Sequence, residues 1–274
     1  MKSMLSLLLC LLLGAEVFPQ NYPAILPMKE RAETIDRLLN EKLDTVLPGL
    51  MRREGIDMWV VISREYNEDP VIETLLPATW LAARRRTILV MYDQGEGKGV
   101  ETLAIARYDV GEKFKKAWDK DKEPDQWKRL REVIEERDPE RIGINKSRYF
   151  GLADGIVATD LEEMKTAIGE KYAKRLVSAE KLAIGWLETR TESEMVLYPQ
   201  ICRIAHEIIA EGFSDRVIQP GVTTTEDLVW WFREKVRELK LQTWFHPSVS
   251  IQRADPESFD HLRSFSSRPE NNVI

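Results

Sequence analysis

Cysteine and histidine are scarce in this chain: two Cys and three His among 274 residues. Cys10 lies in an N-terminal apolar run and Cys202 stands alone far downstream. Once that run is removed, no internal disulfide can form. No H-E-x-x-H or C-x-x-C pattern and no closely spaced His pair occurs, so a self-contained His-rich metal site is not expected. Long basic runs are missing as well. The nearest approach is the triplet Arg84-Arg85-Arg86, in a chain of net charge −6, which argues against nucleic acid as a partner.

Long apolar runs are equally absent. Residues 4–13 form the nearest case, too short to cross about 30 Å of hydrocarbon as a helix, so no stable membrane span is expected. With Lys2 before the run and Gly14 and Ala15 after it, residues 1–20 read as a cleaved signal peptide, which implies a secreted or periplasmic protein. The cleavage point lies between Ala15 and Gln20, since no clean A-x-A marks it. A buried N-terminal helix is the alternative. Leu9 rather than a small residue precedes Cys10, which argues against a lipoprotein anchor.

What remains alternates between helical and strand patterns. Ile35, Leu38, Leu39, Leu43, Val46, Leu47 and Leu50 recur at helical spacing around a break at Pro48, and Gly55 ends the helix. Met58-Trp59-Val60-Val61-Ile62 reads as a buried strand, followed by strands over 87–92 and 101–107. Gly95, Gly97 and Gly99 near Lys98 invite a phosphate-loop reading, but a strand follows where a helix would have to open, so a hairpin connection is expected. Residues 113–137 read as a charged helix with Trp118, Trp127, Leu130 and Val133 on one side. A short strand over 141–145, helical material over 161–168 and an apolar stretch near Leu176 and Leu182 complete an α/β layered region. A long helix is then expected over 192–212, with Pro199 kinking it or marking its true start. After the Pro220-Gly221 turn, Thr223 with Glu226 fits a capping box. Leu228, Val229, Phe232, Val236 and Leu239 form the inner face of the helix that follows.

Four local patterns resemble the creatinase/aminopeptidase P/prolidase group of "pita-bread" proteins. Met51-Arg52-Arg53-Glu54-Gly55-Ile56-Asp57-Met58-Trp59-Val60-Val61 resembles the helix-to-strand passage that opens that family's N-terminal domain. Glu188-Thr189-Arg190-Thr191-Glu192-Ser193-Glu194-Met195 resembles its junction with the first pita-bread helix. Ile218-Gln219-Pro220-Gly221-Val222-Thr223-Thr224-Thr225-Glu226 resembles the turn into the second helix, and 244–252 stands where a strand leads toward the active site. The resemblance spans roughly residues 30–274.

It implies an α/β creatinase-like N-terminal domain over 28–187, followed by an incomplete α+β pita-bread domain over 191–274 that stops before the metal ligands. The parent would be an exported Xaa-Pro aminopeptidase-like metallopeptidase, homo-oligomeric when complete. Its substrate would be a peptide with proline at the second position. Two divalent ions (Mn, Co or Zn) would generate the attacking hydroxide; none is expected on this chain, which alone would be inactive. Relatives carry a His upstream of the first metal-binding Asp. His261 fits that place best and His246 second, and either is otherwise an ordinary loop imidazole. A non-catalytic binding or regulatory protein with a creatinase-like domain is one alternative. The other is a metal-independent, creatinase-like amidinohydrolase with His261 as acid/base.

Other candidates have plainer readings. Cys202 is expected in or beside a packed helix face, with His206 one turn away and nothing to orient its ring. Glu135-Glu136 and Glu162-Glu163 read as solvated helix faces. Trp230 and Trp231 are adjacent, so at least one points away from the inner face. Packing against the rest of a catalytic domain explains them, or a dimer contact.

Overall fold

A computed structural model of the protein describes residues 22–251. The signal-peptide expectation falls on residues outside them. The described residues divide into two compact units, 26–196 and a second made of 22–25 with 197–251.

The first unit is a mixed six-stranded sheet with helices on both faces. Helices α1 (Met28–Thr45) and α2 (Leu47–Glu54) meet at the expected break, where Pro48 occupies the first turn of α2 and so leaves no needed N–H unpaired. Gly55 ends α2 in the left-handed conformation, φ 61°, and turns the chain into β1 (Met58–Arg64). Strands β2 (Arg86–Asp93) and β3 (Val100–Ile105) follow antiparallel, then β4 (Lys115–Lys116), α3 (Gln126–Arg137), β5 (Ile142–Ile144), α4 (Ala158–Ala173), β6 (Leu176–Ser178) and α5 (Glu180–Glu188). The sheet order is β4-β3-β2-β1-β5-β6, with β5 parallel to β1 and β6 parallel to β5.

The apolar run in β1 is unbroken because both of its faces are covered. Trp59 and Val61 join Leu89, Met91 and Ala104 beneath α1, α2 and α5, while Met58, Val60 and Ile62 join Ile88, Val90 and Ile105 beneath α3 and α4. Successive strand side chains alternate between faces, so only a central strand needs apolar residues at every position.

One expectation in this unit needs correction, and two are sharpened. The helix expected over 113–137 begins only at Gln126, where the Asp125 side chain accepts from Trp127 N. Residues 115–116 instead add to the sheet edge, and Trp118, outside any helix, buries its ring and donates Nε1–H to Glu123 O. Nine residues separate it from Trp127, half a turn out of helical register, so the two rings could not share one helix face. The helix expected over 161–168 runs from Ala158 to Ala173, broken at Gly169 with φ 76°. The apolar stretch near Leu176 is edge strand β6.

The second unit is built on α6 (Glu192–Gly212) and α7 (Thr225–Glu238), with the division between units falling inside α6. A reciprocal cap opens α6: Glu194 N donates to Thr191 Oγ1 at 3.2 Å and Thr191 N to Glu194 Oε2 at 2.7 Å. The helix runs through Pro199 rather than starting there. The cap of α7 lies one residue later than expected, on Thr224 and Asp227. The Thr223 hydroxyl is instead taken up within the turn, accepting from Gln219 N at 2.8 Å. Ile204, Ile208, Leu228 and Phe232 form the small buried core. Gly212 is required there, because a Cβ would stand 2.5 Å from the Phe232 ring. No strand is formed over 244–251 among the described residues, contrary to the extended strand expected. An isolated edge segment has no partner to complete its backbone hydrogen bonds.

Candidate functional site

His246 is exposed in a segment without regular structure, and His261 lies outside the described residues. Cys202 is exposed rather than packed, because α6 turns Ile204 and Ile208 inward and carries Cys202 and His206 on its outer side. Glu135, Glu136, Glu162 and Glu163 are exposed as expected, and three of them serve arginines: Glu135 pairs with Arg131, Glu136 with Arg129 and Arg137, and Glu163 with Arg86. Trp230 faces outward under the Arg233 guanidinium, while Trp231 packs on the small core. Among the described residues no three His, Cys, Asp or Glu side chains come together as a metal-ligand set. The described residues therefore do not make up a dinuclear centre.

The polar chemistry that the fold does concentrate lies past the carboxyl ends of β1 and β5. Asp69 is fully buried and Asn145 nearly so. Asn145 Nδ2 donates to both Asp69 oxygens at 3.0 and 2.9 Å, and Val71 N donates to Asp69 Oδ1 at 2.8 Å. Asn145 Oδ1 accepts from Trp59 Nε1 at 2.8 Å, and Ser63 Oγ accepts from Asp69 N at 3.1 Å. The network ties β1, the loop after it and the end of β5 into one assembly. Burial is the dominant influence on the Asp69 carboxyl and pushes it up to about 6, against the opposing hydrogen bonds from Asn145 and the backbone. Gly155 covers the carboxylate so closely that a Cβ there would sit 2.1 Å from it.

Sequence reasoning passed over Asp69 and Asn145. One signal was available: Trp59 sits mid-strand in an apolar run, and a buried indole N–H needs an acceptor. Nothing in the sequence says that the acceptor is 86 residues away.

A second buried carboxylate, Asp160 in the first turn of α4, lies 3.2 Å from Arg64 Nε and 3.3 Å from Arg86 Nε. Neither of its oxygens has an aligned hydrogen bond. Burial raises its pKa even though Arg86 and Arg64 pull the other way. The Arg86 guanidinium also stacks 4.6 Å from the Trp127 ring centre. This cluster joins β1, β2, α3 and α4, and its groups are engaged with one another.

A groove of about 780 Å³ lies elsewhere, along the β6 edge.

No family model matches the chain, and no curated protein matches it. Among solved structures it is similar to the Xaa-Pro dipeptidase from Bacillus anthracis, at 14% identity and a TM-score of 0.42, over 74% of this chain and 49% of that one. The chain thus spans about half the length of that dipeptidase. A likeness at this level carries no conclusion about chemistry. What stands is a mixed α/β protein with a six-stranded sheet and seven α-helices among the described residues.

Proposed function

We propose that this chain forms the N-terminal part of an exported Xaa-Pro aminopeptidase-like metallopeptidase. In this reading the α/β unit is the creatinase-like domain, and α6 and α7 open the pita-bread domain. Two divalent ions and the hydroxide they generate would be held by residues other than those described. The substrate would be a peptide with proline second, and the assembled protein a homo-oligomer.

The observation that supports the reading is the coincidence of the family-like junction with a change of structural unit. The stretch from Glu188 to Met195 closes the three-layer unit and caps the long helix. The division into compact units falls within two residues of its end. A capped helix start at that point separates two independent apolar cores, as a domain boundary should.

The test is cleavage of Xaa-Pro tripeptides with added manganese or cobalt, comparing this chain with the protein translated from its whole reading frame. The expected outcome is turnover by the latter and none by residues 1–274. Robust turnover by this chain, or stoichiometric uptake of two divalent ions seen by native mass spectrometry, overturns the reading.

A further inference from the structure

The groove along β6 combines two features that the reading above does not use. The first is an open sheet edge. Arg175 O accepts from Ile142 N and Ala179 N donates to Ile144 O, each at 2.9 Å, so these positions turn toward β5. By strand alternation, Leu176 and Ser178 point their N–H and C=O groups the other way. Among the described residues no backbone partner meets them there.

The second feature is uncompensated positive charge. Arg141, Lys146, Arg148, Lys165 and Lys181 line the groove, all exposed, and none forms an ion pair among the described residues. Cations just outside it are matched: Lys171 and Arg175 with Asp138, and Lys174 with Glu170. The two acidic residues in the lining are already engaged, Glu54 with Arg53 and Glu180 with the Ser147 hydroxyl. Lys165 stands on α4, which covers one face of the sheet, and Lys181 on α5, which covers the other. Arg141 precedes β5, and Lys146 and Arg148 follow it.

We infer that this edge binds an extended acidic peptide segment, which adds as a further strand beside β6. Backbone pairing with Leu176 and Ser178 would supply register, and side chains alternating to the two faces would meet Lys165 on one side and Lys181 on the other. Strand addition is favoured over a compact anion because the cations are distributed over both faces and both ends of the edge rather than converging. It is favoured over nucleic acid because the unpaired edge amides and carbonyls match a peptide backbone. Lysines can also serve merely to guard an edge against aggregation, and the experiment separates the two roles.

The probe is a fluorescein-labelled peptide of about six residues, built on adjacent Glu-Glu pairs so that both faces of the added strand carry carboxylates, titrated by anisotropy with the full chain at physiological salt. Saturable binding is expected. Lys165→Glu combined with Lys181→Glu should weaken it about tenfold or more, while Lys98→Glu with Lys120→Glu, away from the groove, should leave it unchanged. N-methylation of the alternate peptide amides that would face β6 should also weaken binding about tenfold. Circular dichroism of each variant confirms that the fold is kept; if the groove variant unfolds, the N-methylated peptide on the native chain still decides. No saturation by about 1 mM peptide would overturn the proposal and leave the cations as edge guards. Equal binding of the N-methylated peptide would overturn it too, as would an oligonucleotide or polyphosphate that binds while the peptide does not.

Discussion

Replacing Asp69 with Asn should invert the stability difference between variant and native chain as pH rises. The Asp69 carboxyl is raised from its ordinary 3.8 to about 6 by burial. A carboxyl whose folded pKa lies above its unfolded value binds its proton more tightly in the folded state. Its contribution is therefore fully present below about pH 4 and is lost as pH rises through about 6. A rise of about two pH units corresponds to roughly 3 kcal/mol. In the Asn variant the amide oxygen can keep the place of Oδ1, accepting from Val71 N and Asn145 Nδ2. Its NH₂ then faces Asn145 Nδ2, where Oδ2 had accepted at 2.9 Å. One lost bond and a donor–donor contact cost about 1–2 kcal/mol at every pH. The variant should thus be less stable by about that amount near pH 4 and more stable by about 1–2 kcal/mol near pH 8. Urea unfolding across that range, followed by circular dichroism, measures the difference, and the carbon chemical shift of the Asp69 carboxyl reports its titration directly. A difference that stays constant between pH 4 and pH 8 would refute the argument, because it would mean that burial does not oppose ionisation at this carboxyl.

Gly155→Ala would place a methyl 2.1 Å from the Asp69 carboxylate and should cost about 3 kcal/mol in thermal or urea unfolding. Gly212→Leu should destabilise the α6–α7 pair by a similar amount, about 3 kcal/mol, because Phe232 occupies the space a side chain would need; faster amide exchange confined to those helices is the readout. Asp160→Ala leaves Arg64 and Arg86 without their shared partner. Since both arginines are partly exposed and can rehydrate, the expected loss is about 2 kcal/mol rather than the larger figure for a fully buried pair. His246→Ala removes an exposed side chain and should shift stability by no more than about 0.5 kcal/mol.

The amino-acid sequence by itself determined the elements whose signals are local. The β-rich run at Met58–Arg64, the glycine at 55 in the left-handed conformation and the stop-and-start at Pro48 each follow from residues within a few positions of one another. So does the existence of a cap before α7, although the adjacent threonines led the expected pair, Thr223 and Glu226, to fall one residue short of the actual Thr224 and Asp227. Strands of two or three residues such as β4 and β6 carry no such signal, because pairing with a neighbour is what makes them strands. Trp118 illustrates the converse. It lies in a charged stretch of helix-forming residues, yet its ring is buried from a loop, just after Lys115 and Lys116 pair with β3 at the sheet edge. The buried network was decided wholly by tertiary structure. Asp69 and Asn145 are 76 residues apart, and only the parallel pairing of β5 with β1 brings them within hydrogen-bonding distance. Burial of a carboxylate, and hence its altered proton affinity, depends on what the rest of the chain places around it, and sequence neighbours do not record that.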